Sequence, residues 1–272
     1  MSFNIALRGG GDLASGVAVR LHRAGLRVAI SELPQPLAVR RLVSFAEAVY
    51  QGEVAVEGIV ARRINDPTDT LRILRLFAQK QIPVLVDPGF QALQSLRPTV
   101  VIDARMAKHA PEQGIHQASL VIGLGPGFEA GQNCHAVIET NRGHNLGRVI
   151  WHGTAEADTG VPESVAEHGS ERVLRAPADG VIEARAEIGD LVTPGQVVAE
   201  VAGQPIQANF AGVLRGLVHS GLPVVRNMKV GDIDPRGDAV ACRLVSDKAL
   251  AVGGGVLEAI LSRTDLRPLI WT

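Results

Sequence analysis

The chain has 272 residues, of which 46% are apolar and 20% charged, enough for a buried core and too ordered a composition for wholesale disorder. Lys and Arg number 27 against 28 for Asp and Glu, and aromatics make up only 3%. That balance excludes a basic nucleic-acid or membrane footprint, and so few aromatics exclude a stacking platform for single strands.

No apolar run reaches the length of a bilayer span. The opening "MSFNIALRGGG" shows no basic region before a long apolar one, and two cysteines, Cys134 and Cys242, cannot build a disulfide framework. The expectation is a soluble, reduced, cytoplasmic protein with no metal site and no membrane or nucleic-acid partner.

In chain order, "FNIAL" reads as a strand that runs into Gly9, Gly10 and Gly11. Behind them Leu13, Val17 and Leu21 recur on one helical face, and Gly25 stands where a left-handed cap belongs. "LRVAIS" is the second strand, "LAVRRLVSFAEAV" suits a helix after Pro36, and "VEGIVARRI" (56–64) reads as one strand. The next helix takes Asp66 as N-cap and Pro67 in its first turn, with Leu71, Leu74, Phe77 and Ala78 inward. "IPVLVD" and "TVVID" are continuous apolar runs ending in Asp87 and Asp103, as strands buried on both faces do. Strand and helix in this alternation imply an α/β fold with a Rossmann-like parallel sheet over 1–105.

From 106 to 170 the rhythm changes to "ASLVIGLGPGF", "HAVIET" and "GRVIWHG", read as a mainly β segment packed beside the sheet, with a polar linker at 157–172. Residues 171–240 hold an internal repeat. Ala176, Gly180, Gly189 and Val192 recur as Ala208, Gly212, Gly221 and Val224, each 32 positions later. The pattern resembles the biotinyl/lipoyl hammerhead domain, a small β barrel. In that family a modified lysine sits in the hairpin between the halves, and here the hairpin "EVAGQPIQA" has none. The tail, 241–272, repeats the opening theme. A short apolar run meets Gly253, Gly254 and Gly255 before a helical face, so the tail is expected to return to the first domain.

The opening triplet matches G-x-G-x-x-G/A in context: strand, Gly9, Gly11, Ala14, helix. Glycine would let backbone N–H groups approach a pyrophosphate at a helix N-terminus. Glu32, 21 residues beyond Gly11, would accept ribose hydroxyls and repel a 2′-phosphate, which favours NAD over NADP. The alternative is a tight turn kept for its geometry, and Asp12 sits awkwardly beside a phosphate. Asp87, Asp103 and Arg105 are crevice contacts or turn caps. Gly125 and Gly127 in "GLGPGFEAG" could form an anion nest, and Gly254 and Gly255 could bring a second helix N-terminus to the same crevice, beside a ligand with two or more phosphates. Arg142 and His144, near Glu139 and Arg148, are candidates for anion or proton work. Cys134 with His135 and the pair Asp232/Asp234 read more simply as strand and turn residues.

The stretches "RGGGDLASGVAVRLHRAG", "SFAEAVYQG", "IDARMAK", "VIGLGPGFEAG", "IETNRGHNLGRVI", "KVGDIDPRG" and "GGVLEAIL" resemble the YqeB family of selenium-dependent molybdenum hydroxylase system proteins. The resemblance runs through nearly the whole chain. It implies an accessory role in maturing a molybdenum hydroxylase, with that apoenzyme as partner and a nucleotide or molybdenum–pterin dinucleotide as ligand. Two cysteines cannot hold the iron–sulfur clusters of such an enzyme itself. Two other functions stay open: an NAD-dependent oxidoreductase, and a partner-binding module with a vestigial nucleotide site. Catalysis and homo-oligomerisation are left undecided.

Overall fold

The computed structural model describes residues 4–106, 114–157 and 169–270. The chain divides into two compact units. One comprises Met1–Pro36, Phe45–Thr159 and Val245–Thr272, the other Leu37–Ser44 and Gly160–Leu244. Among the described residues no helix is long and apolar enough to cross a membrane.

The first unit contains β1 (Asn4–Arg8), α1 (Asp12–Arg23), β2 (Arg27–Glu32), α2 (Ala48–Gln51), β3 (Glu53–Val56) and β4 (Ile59–Ile64). These are followed by α3 (Thr70–Ala78), β5 (Ile82–Val86), α4 (Ala92–Leu96), β6 (Val100–Asp103) and β7 (Leu120–Leu124). After the short pair-forming β8 (Glu129–Ala130) come β9 (Ala136–Ile138), β10 (Val149–Ile150) and β11 (Gly153–Thr154). One nine-stranded sheet runs β10-β9-β7-β6-β1-β2-β5-β4-β3. Every pairing from β9 to β4 is parallel, and the edge strands β10 and β3 are antiparallel. The molecule is therefore mixed α/β with a large, mainly parallel sheet. Its central strands carry Ile5, Leu7, Ile30, Val84, Ile102 and Ile122, all fully buried, which is why they read as unbroken apolar runs.

Four sequence expectations are corrected here. β7, β9 and β10 extend the same sheet instead of forming a segment beside it. The stretch read as a single strand is a hairpin, β3–β4, turning at Glu57 (φ 47°) and Gly58 (φ 82°). Asp69, not Asp66, caps α3 by accepting the Arg72 N–H at 3.0 Å, and the buried face is Ile73, Leu76 and Phe77, leaving Leu71 and Leu74 exposed. The helix expected after Pro36 is replaced by short turns at Arg41–Val43 and Phe45–Glu47 and the single turn of α2.

The tail forms α5 (Asp247–Ser262), capped by the Ser246 hydroxyl accepting the Ala249 N–H, and then α6 (Arg267–Ile270). Gly253, Gly254 and Gly255 lie inside α5, not between a strand and a helix as expected. Gly253 and Gly255 pack against α1 and the 139–148 loop, whereas Gly254 has nothing within 4 Å. A Cβ on Gly253 would stand 2.8 Å from Arg20 Cγ and 3.0 Å from the Gly16 carbonyl oxygen, and one on Gly255 would overlap the Gly147 carbonyl. Gly16 in turn has Ala249 against it, 2.5 Å from where its Cβ would be.

The second unit contains β12 (Val173–Arg175), β13 (Gly180–Ala184), β14 (Leu191–Val192), β15 (Val197–Val201), β16 (Gln204–Gln207), β17 (Gly212–Leu217), β18 (Pro223–Val224) and β19 (Lys229–Asp234). They make two four-stranded sheets, β12-β19-β17-β14 and β16-β15-β13-β18. The repeat read in the sequence relates one sheet to the other, strand for strand. Individual hydrogen bonds recur as well. Ala176 N–H donates to Met228 C=O and Ala208 N–H to Gln196 C=O, both at 2.9 Å. Gly189 N–H reaches Leu214 C=O at 2.9 Å, and Gly221 N–H reaches Ile182 C=O at 2.7 Å. Residues 37–44 belong to this unit. Val39 C=O accepts the Leu217 N–H at 2.9 Å, close above Gly216, and Arg40 pairs with the buried Asp232 at 2.7 Å.

Candidate functional site

The strand order of the first unit proceeds from β1 to β2 on one side and to β6 on the other. In an open parallel sheet the crevice at such a reversal, beyond the carboxyl ends of the strands, is where ligands bind. Arg8, the glycine triplet, Asp103 and Arg105 converge there.

The three glycines have different duties. Gly9 has φ 96° and donates its N–H to Ser31 C=O at 2.8 Å. Gly10 is closed in by the protein itself. Its N–H donates to Glu32 Oε2 at 2.6 Å, and its carbonyl accepts the Ala46 N–H at 2.9 Å and the Ser15 hydroxyl at 3.1 Å. Ser15 Oγ also accepts the Phe45 N–H at 2.8 Å. A Cβ on Gly10 would stand 2.9 Å from the Ala46 nitrogen. The close approach that demands glycine here is thus made by residues 45–46. Gly11 has nothing within 4 Å of its Cβ direction and is the N-cap of α1 with no side-chain cap. The Ser15 N–H to Gly11 C=O bond, 2.8 Å, opens the helix. The amides of residues 12–14 therefore precede the intrahelical ladder and carry the partial positive charge of a helix start. Asp12 lies in that first turn, where a carboxylate complements the helix dipole instead of capping it.

Glu32 does not stand open toward a ribose. Its Oε1 accepts the Leu33 N–H at 2.7 Å while Oε2 holds Gly10. Burial pushes its pKa up, and the two N–H groups pull it down less strongly. A dinucleotide bound in the usual way, phosphate on all three glycines and ribose on the acid, does not fit these residues.

Asp87 accepts the Ser31 hydroxyl at 3.0 Å and the N–H groups of Gln91 and Ala92 at 2.6 and 2.9 Å, so it caps the turn of α4. Asp103 is buried and receives Arg105 through Nε at 2.9 Å and Nη2 at 2.6 Å. Gly125 (φ 82°) sits where a Cβ would be 2.9 Å from Thr140 Oγ1, and Gly127 is buried. Arg142 pairs with Asp247 at the start of α5 through two bonds of 2.7 and 2.8 Å, and His144 is exposed. Buried Glu139 accepts the N–H groups of Asn141 and Glu156 at 2.7 and 2.8 Å. These residues fasten a loop to the tail helix, and Gly254 and Gly255 lie inside that helix, so they do not form the second helix N-terminus expected of them. Asp232 and Asp234 hold arginines in the second unit, Arg40 at 2.7 Å and Arg236 at 2.6 Å. Burial pushes the Cys134 thiol up to about 11, which leaves it inert. Among the described residues no group of three or more His, Cys, Asp or Glu is placed to hold a metal. Sequence reasoning passed over Arg8, Ser15, Ala46 and Phe90, whose only sequence signal is their distance from one another.

The protein of Escherichia coli (strain K12) described as "Uncharacterized protein YqeB" is 47% identical to this chain over 257 residues, 94% of its length. The chain belongs to the YqeB family. It spans about half the length of that curated YqeB relative, 47%. No protein-family model matches the chain. Solved structures similar to this YqeB-family chain include an aspartoacylase family protein from Mesorhizobium loti, 14% identical, covering 86% of this chain and 85% of that one with a TM-score of 0.28. Another is the ectoine utilization protein EutE (DoeB) from Ruegeria pomeroyi, 12% identical, covering 85% and 86% with a TM-score of 0.26. Scores of this size do not establish a fold shared with the YqeB-family chain.

Proposed function

We propose that this chain is an accessory protein in the maturation of a molybdenum hydroxylase, and that it holds the phosphate-bearing part of a nucleotide or molybdenum–pterin dinucleotide. The accessory role and the identity of ligand and client rest on the family resemblance. The observation that carries the binding site is Gly11: an open, uncapped start to a twelve-residue helix, at the reversal point of a parallel sheet, with Arg105 nearby on Asp103. In this reading the first unit is a Rossmann-like nucleotide domain whose phosphate sits on the amides of residues 12–14. The second is a hammerhead-like module without its carrier lysine, serving as the partner-binding arm. A cytoplasmic, reducing location accords with two buried, unpaired cysteines.

An NAD-dependent oxidoreductase is the weaker reading, because Glu32 is engaged by Gly10 and Leu33. The closure of Gly10 by Ala46 favours the vestigial-site alternative. Calorimetry of the full chain with cytidine diphosphate and with NAD distinguishes these readings. Binding of the former, lost in Gly11→Val at unchanged circular dichroism, supports the proposal. Equal affinity in the variant removes Gly11 from the site, and no binding of either nucleotide leaves only a partner-binding role. Affinity capture from the native host should enrich a large molybdoenzyme, and its absence from the captured material would count against the client assignment.

A further inference from the structure

Arg8 is the last residue of the central strand and directly precedes the glycines. Its guanidinium carbon lies 5.1 Å from the centre of the Phe90 ring, and its Nη1 is 4.0 Å from Asp103 Oδ2. Phe90 is buried and holds φ 55°, a left-handed conformation that a bulky residue adopts only where its surroundings impose it. Asp103 is meanwhile gripped by Arg105. Groups from the connection after β5 and from the end of β6 therefore flank one guanidinium at the end of β1. Its side chain keeps 17% of its surface exposed, at the sheet edge where the crevice opens. A planar guanidinium fork suits phosphate better than an ammonium does.

We propose that Arg8 is a specificity-determining residue that takes the second phosphate of the ligand, so that the site selects a diphosphate over a monophosphate. The assignment rests on the nucleotide reading above. The amides at the start of α1 take one phosphate, and the guanidinium backed by Phe90 and Asp103 takes the next. Replacing Arg8 leaves Asp103 its bonds to Arg105, so the buried carboxylate keeps a cation and the variants fold.

The test is calorimetry of the full chain with cytidine diphosphate and cytidine monophosphate, for the wild type, Arg8→Met and Arg8→Lys. The diphosphate should bind the wild type more tightly. Arg8→Met should weaken it about ten-fold, while monophosphate affinity changes less than about three-fold. Arg8→Lys keeps the charge without the fork and should recover only part of the loss. A structural defect would weaken both nucleotides alike, and that result, or no change with the diphosphate, overturns the role of Arg8 while the site stands. If the wild type binds neither nucleotide, the site and the role of Arg8 fall together.

Discussion

Gly10→Ala and Gly11→Ala differ by one position and should differ widely in effect. At Gly10 the new Cβ would stand 2.9 Å from the Ala46 nitrogen and 3.2 Å from both Ala46 Cα and Ile30 Cγ2. Two of those atoms are backbone and the third is in the core, so no flexible side chain can give way. Overpacking of this kind costs about 1–3 kcal/mol. Pushing Ala46 back also strains its bond to the Gly10 carbonyl, about 1 kcal/mol more. Gly10→Ala should therefore lose roughly 2–4 kcal/mol. At Gly11 no atom lies within 4 Å of the added carbon, and φ −65° is a conformation alanine adopts freely. The loss there should stay below about 1 kcal/mol, the difference between glycine and alanine as N-cap. Urea unfolding followed by tryptophan fluorescence reports on this unit through Trp151, and the comparison is of midpoints at constant slope. Two variants within about 0.5 kcal/mol of each other would refute the claim that residue 46 is what demands the glycine.

The same contrast should appear in the tail: Gly253→Val should disrupt the packing of α5 on α1, and Gly254→Val, with nothing within 4 Å, should be nearly silent in thermal melts. Asp232→Ala removes the carboxylate facing Arg40 and Arg172 and should destabilise the second unit by about 3–5 kcal/mol, measured by denaturant titration; a loss under 1 kcal/mol would mean the pair is not structural. The bonds from Arg236 hold the Asp234 carboxyl at about 2, below its usual 3.8. Its contribution is complete above pH 3.8 and is lost as the pH falls toward 2, so an acid titration of Asp234→Asn should lack that component of the wild-type transition. The hairpin between β15 and β16 turns on Ala202 and Gly203 and offers no lysine, so intact mass spectrometry of native protein should show no biotinyl or lipoyl adduct.

The parallel sheet was legible because strands such as β5 and β6 are apolar throughout until the aspartate that ends them, Asp87 or Asp103. The repeat was legible for a different reason: the same bonds recur in both halves and select the same residues, such as Gly189 and Gly221. What stayed hidden depends on distant segments. Gly10 looks like a phosphate glycine because its true neighbour, Ala46, is far along the chain. "ALAVGGGV" looks like a strand meeting a turn, and only Ser246, the N-cap whose hydroxyl accepts the Ala249 N–H, signals that a helix has already begun. Leu71 and Leu74 satisfy an apolar period on α3, yet Ile73, Leu76 and Phe77 satisfy another, and the sheet selects the latter.

Three successive glycines inside α5 cost about 1 kcal/mol each relative to alanine, so this helix gains little from its own sequence and forms by docking. Its docking surfaces, α1 and the loop around Gly147, are made long before it. During synthesis, the first unit must wait with an apolar face uncovered until the ribosome has delivered the whole of the second unit and the sixteen residues of α5 behind it. The unit begun first is thus completed last. A nascent chain stalled near residue 244 should carry a finished second unit and an aggregation-prone first one, so chaperone dependence during translation follows from where the glycines of the tail have to sit.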